Sequence, residues 1–152
     1  MDTQKTISVL NDLLHITNDR IRGFGNVEGK VWEMYSNLKG AYDGMITQSK
    51  IMRVELIDLI TARGGEAEDT VSLAGSLHRT WINIKNSFSM EGKELTTLQN
   101  VVFGENAAIQ AYQEALDSGE LDEKSIKIVS EQLHLIKESA RHFSGTVNYI
   151  TK

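Results

Sequence analysis

The chain has 152 residues with no cysteine and no proline, and 16 Lys and Arg stand against 21 Asp and Glu for a formal charge of −5. That length supports one domain with its own core, and the lack of cysteine removes disulfides, thiolate metal sites and cysteine nucleophiles. No apolar run nears the roughly 20 residues that cross a bilayer, Met1-Asp2-Thr3-Gln4-Lys5 lacks a signal-peptide layout, and an acidic chain without a Lys/Arg cluster suits nucleic acid poorly. The expectation is a cytoplasmic protein with no membrane and no nucleic-acid partner.

Apolar residues recur near every 3.6 positions with no proline to interrupt them, which predicts an all-α chain. Ile7, Leu10, Leu14, Ile21, Phe24 and Val31 form one stripe of a helix over about 3–34, interrupted by Thr17. Ser36-Asn37 supplies capping side chains for a second helix over 37–63, with Leu38, Tyr42, Met45, Met52, Leu56 and Leu59 on its stripe and Gly64-Gly65 at its end. The stretch from Gly64 to Gly92 is too long for a tight turn and reads as a crossover, with a short helix over 72–88 carrying Leu73, Leu77, Trp81, Ile84 and Phe88. A third helix over 92–117 carries Leu95, Leu98, Val102, Ile109, Tyr112 and Leu116, closed by Asp117-Ser118-Gly119. Asp122 caps a fourth over 122–150, with Ile128, Val129, Leu133, Leu135, Ile136, Ala140 and Phe143 on its apolar face. Glycines inside these helices each cost roughly 1 kcal/mol against alanine, so the first helix is expected to bend near Gly23 to Gly29.

Shifting the first helix by 88 residues lays its stripe on the third, Ile7 on Leu95, Leu14 on Val102 and Phe24 on Tyr112, with Thr17 falling on Glu105. A shift of 83 lays the second helix on the fourth, with Ser49 falling on Gln132. Two similar hairpins joined by a long crossover make a pseudo-twofold four-helix bundle. Counting outward from the two hairpin turns places Thr17 beside Met52 and Arg53, and Glu105 beside Gln132 and Leu133. Thr17, Ser49, Glu105 and Gln132 thus interrupt four apolar stripes at similar depth, where an ionised carboxylate is costly unless paired.

The sequence resembles bacterial ferritin-like four-helix-bundle domains of unknown function over close to its full length. The resemblance rests on Val9-Leu10-Asn11-Asp12-Leu13 and Asn18-Asp19-Arg20, on Gln48-Ser49 and Glu55-Leu56, on Arg63-Gly64-Gly65-Glu66 and Leu77-His78-Arg79, and on Gly104-Glu105 with Ala107-Ala108, Ala111-Tyr112 and Gln132-Leu133. It implies a single ferritin-like up-down bundle over 1–152. Wider di-iron relatives place a Glu on helices one and three and a Glu-x-x-His on helices two and four. Here those positions read Thr17, Glu105, Ser49-x-x-Met52 and Gln132-x-x-Leu135, so Glu105 alone keeps a ligand side chain. The literal Glu131-x-x-His134 points away from the apolar face and reads as a surface pair.

These residues predict a metal-free polar layer of Thr17, Ser49, Arg53, Glu105 and Gln132, in which Arg53 pairs with Glu105 and Arg20 is a second candidate partner. Tyr112 reads as core packing with its hydroxyl at the rim, His15 and His134 as outward-facing, and His78 as a packing or capping residue beside Arg79. Trp32, Met34, Tyr35 and Trp81 suit bundle ends or a self-association patch. No phosphate loop, nucleophile elbow or Ser/His/Asp set occurs. The leading expectation is a non-enzymatic structural or interaction module without cofactors, forming homo-oligomers through helix faces; the resemblance adds a stress-related role. The rival readings are a degenerate metal-binding or oxidoreductase bundle using Glu105, and a small-ligand pocket where Gly40, Gly44 and Gly104 thin the packing.

Overall fold

The computed structural model describes residues 2–24, 36–68 and 94–151, with side chains over 2–21, 39–40, 42–68 and 105–142. The described residues form four helices: α1 (Thr3–Phe24), α2 (Ser36–Ala62), α3 (Glu94–Asp117) and α4 (Glu123–Thr151). The segments read as helix over 25–34 and 72–88, with His78, Trp32, Met34, Tyr35 and Trp81, lie outside the described residues.

Local chemistry sets the ends of these helices. Asp2 Oδ1 accepts the Gln4 N–H at 2.9 Å and the Lys5 N–H at 3.4 Å, capping α1. At the end of α2 the Gly65 N–H donates to Ile60 O and the Gly64 N–H to Thr61 O, both at 3.0 Å, with Gly64 at φ 77°. This is the six-to-one and five-to-two pairing that closes a helix on a left-handed residue. Gly65 is glycine for another reason: an added Cβ would lie 2.8 Å from Ile7 Cγ2. Gly119, at φ 73°, turns the chain from α3 towards α4. Asp122 Oδ1 then accepts the Ser125 N–H at 2.9 Å and caps α4.

The helices pack in pairs, α1 against α2 and α3 against α4, and the two pairs meet where α1 lies beside α3 and α2 beside α4. Thr6 near the start of α1 donates its hydroxyl to Glu120 O just past α3, so these two helices run in opposite directions. Arg63 at the end of α2 pairs with Asp122 at the start of α4, which makes that pair antiparallel too. With Gly65 against Ile7, α2 and α3 both finish at the end of the molecule where α1 begins. That polarity is the one a long crossover produces.

One core runs through all four helices. It takes Leu10, Leu13 and Leu14 from α1, Met52, Leu56 and Ile60 from α2, and Val129, Leu133 and Ile136 from α4. Each such side chain contributes about 1.5–3 kcal/mol on full burial. The described part of the α3 face is built differently, from Ala107, Ala108, Ala111 and Ala115 around the ring of Tyr112. Small side chains leave room beside that ring, and the polar groups occupy it.

Candidate functional site

The centre of the molecule holds a polar network that begins with a fully enclosed charge pair. Arg20 Nε donates to Glu105 Oε1 at 2.8 Å and Nη2 donates to Oε2 at 2.9 Å. Arg20 is 2% exposed and Glu105 0%. A planar fork on a carboxylate is the strongest form of this contact, and neither group is screened by water. Arg20 Nη1 is also buried, without a hydrogen-bond acceptor among the described residues.

One turn before Arg20 in α1, Thr17 continues the network with Tyr112. The Thr17 hydroxyl lies 2.9 Å from Leu13 O and 3.2 Å from Tyr112 Oη, so its one proton serves either acceptor. Tyr112 donates to Gln132 Oε1 at 2.8 Å, and Gln132 Nε2 donates to Met52 O and to Glu55 Oε1, both at 3.2 Å. Burial pushes the Tyr112 phenol up to about 12 because a phenolate here would be desolvated. The Thr17 hydrogen bond and the Arg20 charge oppose that rise, while Glu55 and Glu105 add to it. Tyr112 therefore serves as a neutral hydroxyl, donating to one helix and accepting from another.

Thr17, Ser49, Glu105 and Gln132 are all buried, and each makes its hydrogen bonds to groups outside the four. Thr17 and Gln132 meet through Tyr112, Glu105 meets Arg20 a turn away, and Ser49 donates to Met45 O of its own helix at 2.8 Å. Glu105 pairs with Arg20 and not with Arg53, which is half-buried and has interactions of its own. Counting from a turn places Glu105 only against α4 of its own hairpin, whereas its partner stands on α1, the helix beside α3. The signal was available: Arg20 follows Thr17 by three residues, within one face of a helix. Tyr112 is likewise fully buried, its hydroxyl bonded to Thr17 and Gln132 and not at the rim.

His15 also departs from the outward position read from the sequence. It is 1% exposed, with Nε2 3.5 Å from Glu68 Oε2. The reason is that the chain leaving α2 folds back over α1. Asn11 Nδ2 donates to Glu66 O at 3.2 Å and Asn11 Oδ1 accepts the Glu68 N–H at 2.8 Å, fixing residues 66–68 there. His134 and Glu131 are both exposed, His134 lying 3.7 Å from Glu138. Gly44 borders an open cleft of about 240 Å³ between α2 and α4, with Met45, Gln48 and Leu135, away from the polar network.

At the lower boundary of the two hairpins Arg63 makes a second fork, with Nη2 2.7 Å from Asp122 Oδ1 and Nε on Oδ2. Its Nη1 donates to Leu59 O at 2.8 Å, so one guanidinium ties the end of α2 to the cap of α4. The Arg63 hydrogen bond holds the Asp122 carboxyl well below the usual carboxylate range, against the opposing effect of burial, and the Ser125 N–H adds to the lowering. Asp122 in turn raises Arg63.

The donor set does not fit a di-iron centre. Of the side chains at the ligand positions only Glu105 is a carboxylate, and both of its oxygens are engaged by Arg20. Among the described residues no group of three or more His, Cys, Asp and Glu is placed to hold a metal ion. No described helix is long and apolar enough to cross a membrane.

An all-helical protein with an ion-paired interior is thus the class that fold and network define. The chain belongs to the family described as domain of unknown function DUF2383, whose model matches residues 5–118 and so includes Arg20, Glu105 and Tyr112. Its fold is similar to the crystal structure of a conserved hypothetical protein, rv2844, from Mycobacterium tuberculosis, with a TM-score of 0.69 and 16% sequence identity over 96% of this chain and 99% of that one. No curated protein sequence matches it significantly.

Proposed function

We propose that this protein is a ferritin-like four-helix bundle that has replaced the metal centre of such bundles by an arginine, and that it works as a non-enzymatic structural or interaction module of the bacterial cytoplasm. The bidentate pair of Arg20 with Glu105 carries this reading. A guanidinium there supplies the positive charge that a buried carboxylate requires and occupies both of its oxygens, and burial holds Tyr112 neutral beside it. What remains is a specifier: polar groups that pair with one another in a single arrangement of four helices. The stress-related role implied by the family resemblance belongs to the same proposal.

Bound metal per chain tests it. Protein produced with added iron, manganese and zinc, and purified without a histidine tag, should carry substoichiometric metal that Glu105→Gln leaves unchanged. Near-stoichiometric metal lost in Glu105→Gln would refute the reading and restore the metal-binding alternative.

A further inference from the structure

Gly44 stands inside α2, where glycine is a poor helix former. Among the described glycines only Gly64 and Gly119 have positive φ, so the backbone at Gly44 suits any residue. Close packing does not require it either, since no atom of the described residues lies within 4 Å of a Cβ built there. Where a local rule is broken without a gain in packing, function is the usual reason. What the missing side chain leaves is room: Gly44 lines the cleft of about 240 Å³ between α2 and α4.

One face of each helix builds that cleft. Gln48 follows Gly44 by one turn on α2, and Leu135, Glu138, Ser139 and His142 stand at the i, i+3, i+4 and i+7 spacing of one face of α4. Met45 and Leu135 give it an apolar wall. Ser139 Oγ is buried without a hydrogen-bond partner among the described residues. Ser49 and Thr17, also inside helices, instead donate back to Met45 O and Leu13 O. Among the described lining residues Glu138 is the one carboxylate, and none is Lys or Arg. His134 and Arg141 lie 3.7 and 3.6 Å from it, both on Oε1 and both beyond hydrogen-bond range, so Oε2 keeps its acceptor capacity. His142, at the end of the row, has interactions of its own.

We propose that this cleft binds a small primary amine with an apolar body, the ammonium held by Glu138, Ser139 and Gln48 and the body laid on Met45 and Leu135. An ammonium has three N–H donors and no acceptor. The cleft offers acceptors from three side chains, the Glu138 carboxylate, Ser139 Oγ and Gln48 Oε1, and an ammonium N–H supplies the partner that Ser139 Oγ lacks. The carboxylate selects a cation over a neutral or anionic ligand of the same shape, and the chain's charge of −5 adds to that preference. The volume lies below the roughly 300–1,000 Å³ of sites for drug-sized ligands, so the ligand is small. A ring suits the wall, because a thioether such as that of Met45 packs well against aromatic edges. This inference goes beyond the reading above and stands whether or not the central network binds metal.

Amide NMR of the full chain reads this with three probes that share one ring and a short chain: 2-phenylethylamine, 2-phenylethanol and 3-phenylpropionate. At neutral pH the amine should shift the Gly44, Gln48 and Ser139 amides and saturate with a Kd of about 1 mM. The alcohol should bind roughly tenfold or more weakly, and the carboxylate not at all. Glu138→Gln should weaken the amine roughly tenfold and leave the alcohol unchanged, a split that damage to the fold would not produce. Gly44→Leu fills the cleft with a better helix former, so it should fold at least as stably as wild type and lose binding of both. No saturable shift of these amides with the amine, equal binding of the alcohol, or binding that survives Gly44→Leu would overturn the proposal.

Discussion

Replacing Glu105 by Gln tests the central fork directly. The change keeps the shape but removes the negative charge, leaving Arg20 2% exposed with no counter-charge, and it turns an amide N–H₂ towards a guanidinium donor. Breaking a buried pair from one side costs about 3–5 kcal/mol. For a chain of this length that corresponds to a fall of roughly 6–20 °C in Tm. The double replacement Arg20→Met with Glu105→Leu removes both charges and the unsatisfied Nη1 together, and apolar substitution of a whole buried pair is neutral or stabilising. Urea unfolding followed by far-ultraviolet circular dichroism should show a lower midpoint at unchanged slope for the single variant, and a midpoint at or above wild type for the double. A loss below about 1 kcal/mol in Glu105→Gln is the size of an exposed pair and would refute the claim that this one is dry.

Further outcomes follow from the geometry. Tyr112→Phe strands Gln132 Oε1 and should cost about 1–3 kcal/mol by the same unfolding assay. With the folded phenol raised to about 12, the stability that its burial gives is complete below the unfolded value near 10 and lost as pH rises through 12; absorbance at 295 nm should show one of the four tyrosines ionising last. Asp122→Ala removes a helix cap and a fork and should cost about 1–2 kcal/mol; because the Asp122 carboxyl is lowered in the folded chain, its contribution is present above the ordinary carboxylate range and lost as pH falls below it, so the deficit should shrink in acid. Among the glycines, Gly65→Ala should destabilise by about 1–3 kcal/mol by forcing a Cβ onto Ile7. Gly44→Ala, with nothing within 4 Å of its Cβ, should raise stability by about 0.5–1 kcal/mol, and thermal melts of the two decide the sign of each.

What the sequence disclosed and what it hid divide along the range of the physics. Caps and stops are local: Asp122 and Gly64-Gly65 are legible because the groups they satisfy lie within a few residues, although the packing reason for Gly65 needed Ile7 in place. The inward turn of Thr17, Ser49, Glu105 and Gln132 follows from periodicity alone, since each breaks an apolar stripe. Partners do not follow from periodicity. Counting from a turn fixes levels inside a hairpin, yet the neighbour of Glu105 is decided by which hairpin faces meet, and that depends on α1 lying beside α3. His15 was hidden by a different cause, a segment outside any helix folding over a face that periodicity would leave open to water.

The network also explains how a chain with two similar hairpins avoids degenerate packing. Apolar stripes that match at an offset of 88 residues would let either hairpin dock on a copy of itself with little loss. The polar positions break that equivalence, since the offset carries Arg20 to Ala108, Glu105 back to Thr17 and Tyr112 back to Phe24. Each half holds the complement of a group that its counterpart lacks. Arg20→Ala with Glu105→Ala should therefore keep the helices, measured by circular dichroism, while loosening the choice of partner hairpin. Broadened amide resonances, or mixed oligomers after refolding, would show this, and a single sharp monomeric species would show that apolar packing alone selects the fold. The charged pair adds little to the depth of the native state and much to its uniqueness, because its cost is recovered in one arrangement only.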